Sequence, residues 1–229
     1  MIIDDTAAML RLAGNPEMAL RHDEFVAGYS RGAVPGQVVQ LRPADQVLAL
    51  NLDDSELLAR LAAGAPTRHG YWDSFRSGAR PRPNLHGVSS LPEWANPGWA
   101  FEAHRDGHFI AGVWHFPKVD DPTVKSSAAL PAFFGAIFED FFAVVASVVA
   151  PICSSVAFNA SATISGTDAL NFMTKSEFGD QWVKARGPLQ RQLVQLPIYP
   201  THLGGATWEA TARDLARAMC GVYGFAYRV

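Results

Sequence analysis

The sequence predicts an α+β fold in which an antiparallel sheet, built around one hairpin, packs against a long apolar helix and a C-terminal helix. Two segments rich in aromatic and branched residues, Trp99–His104 and 108–116, flank Asp106-Gly107, a dipeptide typical of tight β-hairpin turns. The apolar segment 130–151 is typical of a helix inside a core. Thr207–Val222 has the spacing of an amphipathic helix, which supplies the second helical layer.

The register of the hairpin decides whether the histidines near its turn can share a metal ion. With Asp106-Gly107 as a two-residue loop, Arg105 pairs with His108, and His104 then falls on the opposite face of the sheet from His108. His115 lies roughly 20 Å further along the strand at the usual rise per residue. A shared zinc or iron ion needs all its ligands close to one point. The sequence therefore predicts surface histidines and no metal site.

The same register predicts which face of the hairpin is buried. It sets Trp99 opposite Trp114 and Phe101 opposite Gly112. Because large aromatic residues interlock with small residues across a strand pair, the face that carries Trp99 and Phe101 is expected to pack on the core.

The remaining elements follow from capping residues and from hydrophobic periodicity. Helices are predicted at residues 4–12, 15–28 and 53–63. Strands are predicted at residues 37–41, 47–52, 155–165 and 192–199. Since no linker separates these elements, the chain is expected to form a single domain over residues 1–229, in which residues 1–54 are a candidate helical and strand subdomain.

Composition and charge exclude several classes of protein. A net charge of −3 gives no overall attraction to nucleic acid or to a membrane surface. Glu139 and Asp140 divide the apolar segment 130–153 into pieces too short to cross a bilayer, which indicates a core helix. Cys153 and Cys220 lie in apolar runs and fit reduced thiols, although a single disulfide is an alternative. The N-terminus has no signal-peptide pattern, and the expected location is cytoplasmic.

Sequence motifs for common catalytic chemistry are missing. The sequence has no GxxxxGK[ST], GxGxxG, HExxH or CxxC pattern. Residues 28–32 match GxSxG, but they follow a predicted helix rather than the strand that precedes the serine in a nucleophile elbow. We therefore expect no cofactor, and the sequence does not indicate which residues would be catalytic. Enzymatic activity is left undecided, because catalytic groups are recognised by geometry rather than by their order in the chain.

Residues 60–86 combine arginine with aromatic side chains. Such a segment can hold phosphates and stack on bases, so a nucleic-acid-binding surface is one interpretation. The favoured interpretation is a solvated connector stiffened by Pro81 and Pro83, whose arginines balance acidic helices elsewhere. The side chains concerned are Arg60, Arg68, Tyr71, Trp72, Phe75, Arg76, Arg80 and Arg82, with Asp73 as the one acid.

The order of these segments resembles a known family. Residues 79–87 read ARPRPNLHG, and a hairpin, a long apolar helix and a serine-rich strand follow them. This succession is similar to the C-terminal region of bacterial proteins, described as DNA-binding or ATP-binding, that carry a Schlafen-type AlbA-like domain. Those proteins show a P-x-P-N-x-D-G stretch in this region, and Gln195-Leu196-Pro197 with the helix that follows also resembles them. The resemblance covers roughly residues 55–229.

The chain departs from that family in two respects. No AlbA-like domain is visible before Arg60, and His86 stands where the family has an acidic residue before Gly87. The resemblance therefore implies a C-terminal sensing or partner-binding module, without the nucleic-acid or nuclease activity of the AlbA-like domain.

A ligand site is predicted where loop 80–86 approaches the hairpin turn. Arg80 and Arg82 would hold anionic groups, and Asn84 would either orient these groups or close a turn. The predicted site also includes His86, Arg105 and Asp106.

The favoured function is a non-enzymatic sensing, regulatory or partner-binding module of a bacterial cytoplasmic system. Its expected ligand is a protein partner or an anionic small molecule, with no membrane contact, and a homodimer is an alternative assembly. Nucleic-acid binding through residues 60–86 is not favoured. The rival class is a hydrolase or nuclease that pairs His104 or His108 with Glu102 or Asp106.

Overall fold

Four helices frame the described part of the chain. The computed structural model describes residues 15–30, 32, 35–45, 47–64, 75, 80–91, 98–114, 116, 128–153, 155–175, 182–187, 189–204 and 207–227. Its helices are α1 (Pro16–Tyr29), α2 (Ser55–Ala63), α3 (Pro131–Val149) and α4 (Thr207–Val222), and a 3₁₀ turn lies at Thr167–Ala169. The side chains of Asn15 and Asp54 cap α1 and α2 by accepting a hydrogen bond from the first turn of each helix.

The strands form one large antiparallel sheet and one small sheet. They are β1 (Gly36–Pro43), β2 (Arg82–Pro83), β3 (Gly87–Ser90), β4 (Trp99–His104), β5 (Phe109–Val113), β6 (Ala128–Ala129), β7 (Ala157–Ser165), β8 (Asn171–Lys175), β9 (Trp182–Arg186), β10 (Leu193–Gln195) and β11 (Tyr199–His202). The large sheet has the order β10-β7-β1-β5-β4-β3-β2, and β11 pairs with the other end of β7. The small sheet has the order β6-β8-β9. Strand β1 therefore lies in the interior of the large sheet.

One face of the large sheet packs against α3 and α4 and forms the main core. The ring of Phe101 on β4 lies 5.8 Å from the ring of Phe141 on α3. Helix α3 is long and apolar enough to cross a membrane, but 78% of its most apolar stretch is buried within the fold. It is therefore a core helix, and the predicted α+β class is confirmed.

The opposite face of the large sheet is covered by α1. Phe25 of this helix packs on Val38, Ala100 and Ile110, and its ring lies 5.8 Å from that of Trp114. Both faces of the sheet are thus buried, whereas the sequence predicted that the histidines of the hairpin lie at the surface.

The predicted register of the hairpin is wrong by one residue. Phe101 pairs with Ala111 rather than with Gly112, and Trp99 pairs with Val113 rather than with Trp114. The prediction that Trp99 and Phe101 face the core is confirmed, because a shift of the partner strand leaves both on that side. Their predicted neighbours on that face are wrong, because Gly112 and Trp114 lie on the opposite face beside Phe25 of α1.

The shift arises in the turn, which has three loop residues instead of two. The amide of His104 donates a hydrogen bond to the carbonyl oxygen of His108 at 2.9 Å, so residues 105–107 form the loop. Gly107 has a φ of +81°, the left-handed conformation that ends a three-residue hairpin loop. Because His104 now pairs directly with His108, the two imidazoles share one face of the sheet.

Two other predicted strands differ from the structure. Residues 47–52 form no strand, because the amides of Leu48 and Leu50 bond to the carbonyl oxygens of the hairpin turn rather than to a neighbouring strand. The strand predicted at 192–199 is divided into β10 and β11 around Pro197, which has no amide hydrogen to donate. The helix predicted at residues 4–12 lies outside the described residues.

We expect the substitution Gly107→Ala to lower the free energy of unfolding by about 1–3 kcal/mol, since a left-handed L-residue costs about 1–2 kcal/mol and the site is crowded. The added Cβ would lie 2.6 Å from the Cβ of Leu48. Urea unfolding followed by circular dichroism measures the loss. The control is Gly28→Ala in α1, where a new Cβ meets no atom within 4 Å. Equal losses in both variants would contradict the three-residue loop.

Candidate functional site

A layer of buried polar side chains lies between α1 and the large sheet. The register places Gln40 beside Ser161 on β7 and aligns it, across Ile110, with Glu102 and Ser89. Burying polar groups costs free energy unless they are hydrogen-bonded, so a layer of this kind is either tightly paired or functional. This polar layer consists of His22, Gln40, Ser89, Glu102, His104, His108, Ser161 and Thr163.

The carboxylate of Glu102 is the acceptor that joins three parts of the chain. Tyr29 on α1 donates its hydroxyl to Oε1 at 2.7 Å, and the side-chain amide of Asn84 donates to the same oxygen at 2.5 Å. The Nε2 atom of His104 lies 2.8 Å from Oε2 and donates to it. Because an ionised carboxylate only accepts hydrogen bonds, three donors offset the cost of burying its charge.

Tyr29 remains protonated in this arrangement over the whole physiological pH range. Burial, together with the hydrogen bond to Glu102 and its charge, raises the pKa of Tyr29 to about 12. The hydroxyl therefore acts as a donor to the carboxylate, and α1 is fixed to β4 through it.

His104 and His108 lie side by side in the interior of the polar layer. Their ring centroids are 5.3 Å apart, and each residue is 1% exposed. The Nε2 atom of His108 lies 3.1 Å from Oε1 of Gln40. The Nδ1 atoms of both imidazoles are buried and have no hydrogen-bond partner among the described residues. The prediction of surface histidines is therefore wrong, because α1 covers the face of the sheet that carries His104, and the three-residue loop places His108 on that same face.

His108 is a neutral imidazole in the folded protein. Burial above all, and then the neighbouring charges of His104, Arg42 and Arg21, hold the pKa of His108 well below its usual value of 6.5. Protonating it would place a cation in a layer where positive groups already surround it.

His86 connects the loop before β3 to the outer surface of α1. Its Nδ1 atom lies 2.5 Å from Nη1 of Arg21, and its Nε2 atom lies 3.0 Å from a carboxylate oxygen of Glu24. The ring also lies 5.2 Å from that of His104. His86 is therefore held between α1 and the polar layer, which leaves its ring partly exposed.

Four of the six predicted site residues come together in the structure. The amide of Arg105 donates to the carbonyl oxygen of His86 at 3.1 Å, which joins the turn to the loop. The Oδ1 atom of Asn84 accepts the amides of His86 and Gly87 at 3.0 and 2.7 Å, so Asn84 closes the turn. Asp106 accepts the amide of His108 at 3.1 Å and fixes the hairpin loop.

The two remaining predicted residues are surface arginines. Arg82 lies on the two-residue edge strand β2 and Arg80 precedes it, and both side chains are exposed. Arg105 is likewise exposed at the tip of the hairpin. The structure thus places exposed guanidinium groups around the loop, whereas Asn84 and Asp106 have hydrogen bonds inside it.

The geometry meets one requirement of acid–base catalysis and fails another. His104 and Glu102 are within hydrogen-bond reach, but their side chains are only 1% and 8% exposed, and Glu102 already has three donors. A catalytic pair must reach substrate in a cleft. A cavity of about 10 Å³ lies on the other, apolar face beside Phe101 and Val144, with room for no more than a water molecule.

Within the described residues, no group of three or more histidine, cysteine or acidic side chains is placed to hold a metal ion.

The sequence contained a partial signal for this layer. Glu102 and His104 are two residues apart on a predicted strand, which puts them on one face. Tyr29 and Gln40 carried no such signal, because they meet Glu102 and His108 only through contacts between distant parts of the chain.

No family model, no curated protein and no solved structure matches this chain.

We expect the free energy of unfolding to fall as the pH drops below about 6.5. In this range the unfolded chain binds a proton at His108 that the folded chain excludes, so acid favours unfolding. The contribution lost between pH 6.5 and pH 5.5 is about 1 kcal/mol. Urea unfolding of the wild type and of His108→Gln across this range isolates it. Identical pH dependence in the two proteins would contradict the neutral, buried imidazole.

Removing the Tyr29 hydroxyl, which donates a hydrogen bond to Glu102, should lower the free energy of unfolding more than removing a tyrosine hydroxyl that makes no hydrogen bond. For Tyr29→Phe we expect a loss of about 1.5–3 kcal/mol in the free energy of unfolding, the usual value for a hydrogen bond to a charged group. Tyr199→Phe is the control, since its hydroxyl makes no hydrogen bond among the described residues and its loss should stay near 0.5 kcal/mol or below. Similar small losses in both variants would show that the bond from Tyr29 is not formed.

Proposed function

We propose that the protein is a non-enzymatic binding module that recognises an anionic group of a protein partner or a small molecule. The binding surface is the arginine rim, which we define as residues 80–86 and 105–107. One observation carries the proposal. The exposed Arg105 lies on the hairpin turn, and the exposed Arg82 lies on β2, next to loop 84–86. The turn and the loop are joined to each other, and the bond between Asn84 and Glu102, 2.5 Å long, fixes the loop from beneath.

Rigidity of the rim favours binding. Loop residue Asn84 is bonded through its side chain to Glu102, His86 and Gly87, and through its amide to the carbonyl oxygen of Gly87 at 2.9 Å. A surface that is ordered before its ligand arrives loses less conformational entropy on binding. The polar layer thus has a role in this proposal, which is to hold the arginine rim in one conformation.

Charge favours an anion as the ligand. Guanidinium groups bind carboxylates and phosphates through paired hydrogen bonds, and Arg80, Arg82 and Arg105 are all exposed. The acid within the rim, Asp106, already accepts a backbone amide.

The burial of Glu102 and His104 argues against the hydrolase or nuclease alternative. Both side chains are buried inside the fold, and both carboxylate oxygens of Glu102 accept hydrogen bonds from other side chains. A nucleic-acid-binding surface would need Arg76 to join Arg80 and Arg82, and Arg76 lies outside the described residues.

The resemblance of residues 55–229 to the C-terminal region of Schlafen-type AlbA-like proteins supports a further part of the proposal. In such a setting the module would act in the bacterial cytoplasm as the sensing or regulatory part of a larger system. The arginine rim would be the surface that detects the signal.

We expect inorganic phosphate and pyrophosphate to shift the amide NMR signals of residues 80, 82, 84–86 and 105–107 more than those of any other described segment. The affinity should fall at least tenfold in the double variant Arg82→Ala, Arg105→Ala, because the phosphate oxygens lose both guanidinium partners. The matched control is Arg213→Ala, Arg217→Ala, which removes two exposed arginines of α4 and should leave binding unchanged. Pyrophosphate should remain intact during the titration.

Two results would contradict the proposal. Equal binding by the wild type and the rim double variant would remove the arginine rim as the site. Hydrolysis of pyrophosphate that disappears in Glu102→Gln would instead show that the buried pair is catalytic.

A further inference from the structure

Two exposed apolar side chains lie on the segments that adjoin the hairpin turn. Leu85 is 86% exposed and Val47 is 73% exposed, the highest values among the large hydrophobic residues that the structure describes. Single exposed apolar residues are common and need no explanation. These two are notable because of their position, since Leu85 belongs to the arginine rim and Val47 comes from a segment bonded to it.

Backbone hydrogen bonds hold the three segments together. The amides of Leu48 and Leu50 donate to the carbonyl oxygens of Asp106 and Arg105 at 3.3 and 2.9 Å. On the loop side, the amide of Arg105 donates to His86 at 3.1 Å. The turn therefore connects the segment that carries Val47 to the loop that carries Leu85.

Leu85 is presented outward by a fixed turn. Asn84 precedes it and accepts the amides of the two residues that follow it, so the loop cannot fold Leu85 inward without breaking these bonds. The amide of Asn84 itself is bonded to the carbonyl oxygen of Gly87. An apolar side chain held in solvent by a rigid turn is suited to enter a partner at low entropic cost.

We infer that the arginine rim, together with Leu85 and Val47, is a docking surface for an acidic protein segment that also carries a large apolar side chain. This inference rests on the proposed function and names its partner class. Arginine and apolar anchors are the usual centre of a protein interface, and the exposed guanidinium groups of Arg82 and Arg105 require acidic residues opposite them. Free phosphate or a nucleic acid would leave the two apolar side chains in water.

The docked segment does not extend the sheet as a further strand. The free edge at this end is β2, which is two residues long and contains Pro83. Proline has no amide hydrogen to offer, and edge strands with proline resist pairing with another chain. Recognition therefore proceeds through side chains.

The test is selection from a random library of peptides displayed on phage, with the full chain as bait. The enriched peptides should contain at least two acidic residues and one large apolar residue. Synthetic versions are then measured by fluorescence anisotropy. Binding should weaken at least tenfold in Leu85→Ser, Val47→Ser and, separately, in Arg82→Ala, Arg105→Ala. The control Ile152→Ser changes an apolar residue that is 48% exposed elsewhere and should bind as the wild type.

The other outcomes distinguish a failure of this inference from a failure of the proposed function. Peptides without acidic bias, no enriched peptide, or full binding by Leu85→Ser, Val47→Ser would overturn the docking surface. The proposed function would still stand if Arg82→Ala, Arg105→Ala loses phosphate binding. Binding of a single-stranded oligonucleotide that needs the arginines but not Leu85 would overturn the inference in favour of nucleic acid. Thermal unfolding of every variant verifies folding, since the substituted side chains are exposed.

Discussion

The carboxylate of Glu102 is the constraint on which the described structure around the rim depends. It is buried in the sheet, and it accepts hydrogen bonds from α1, from the loop before β3 and from its own strand. An unpaired buried charge would cost several kcal/mol, so the donors from these three segments together stabilise the buried carboxylate. The position of α1, the conformation of loop 84–86 and the orientation of His104 are therefore coupled through one side chain.

That coupling explains why a face of the sheet is polar although it is covered. A helix that covers a sheet usually does so with apolar contacts, as Phe25 does in α1. On either side of Phe25, polar contacts link α1 to the sheet and the loop, namely those of Tyr29 to Glu102 and Arg21 to His86. Polar contacts give less stability than apolar packing but fix geometry more narrowly, because hydrogen bonds tolerate little displacement. An exposed recognition loop needs this narrow geometry, and the arginine rim receives it from the layer beneath.

The sequence predicted the elements whose signals are local, and it did not predict the contacts that join them. The ends of α4 and the cap of α1 follow from neighbouring residues, and both were correct. The turn at Asp106-Gly107 was recognised, but its length was not, because a two-residue and a three-residue loop share the same dipeptide and differ only in which residue pairs across. That one residue moved His108 onto the face of the sheet that carries His104, which α1 covers. The approach of Tyr29 to Glu102 joins residues 73 positions apart, and no periodicity encodes it. Of the predicted site residues, those on loop 84–86 and those on the hairpin turn do lie together. The buried polar layer beneath them could not be predicted from the sequence, because it is formed by contacts between distant parts of the chain.

The most direct test of this account is amide hydrogen exchange in the variant Glu102→Ala. The amides of His86 and Gly87 donate to Asn84, which Glu102 holds in place, whereas the amide of Leu196 donates to Ala162 on the far side of the sheet. An alanine offers no side-chain oxygen, so the side-chain amide of Asn84 loses its acceptor. The account predicts that exchange at His86 and Gly87 becomes at least tenfold faster, with Leu196 unchanged relative to global stability. Unchanged exchange at His86 and Gly87 would show that the loop holds its conformation without Glu102, and the central claim would be wrong.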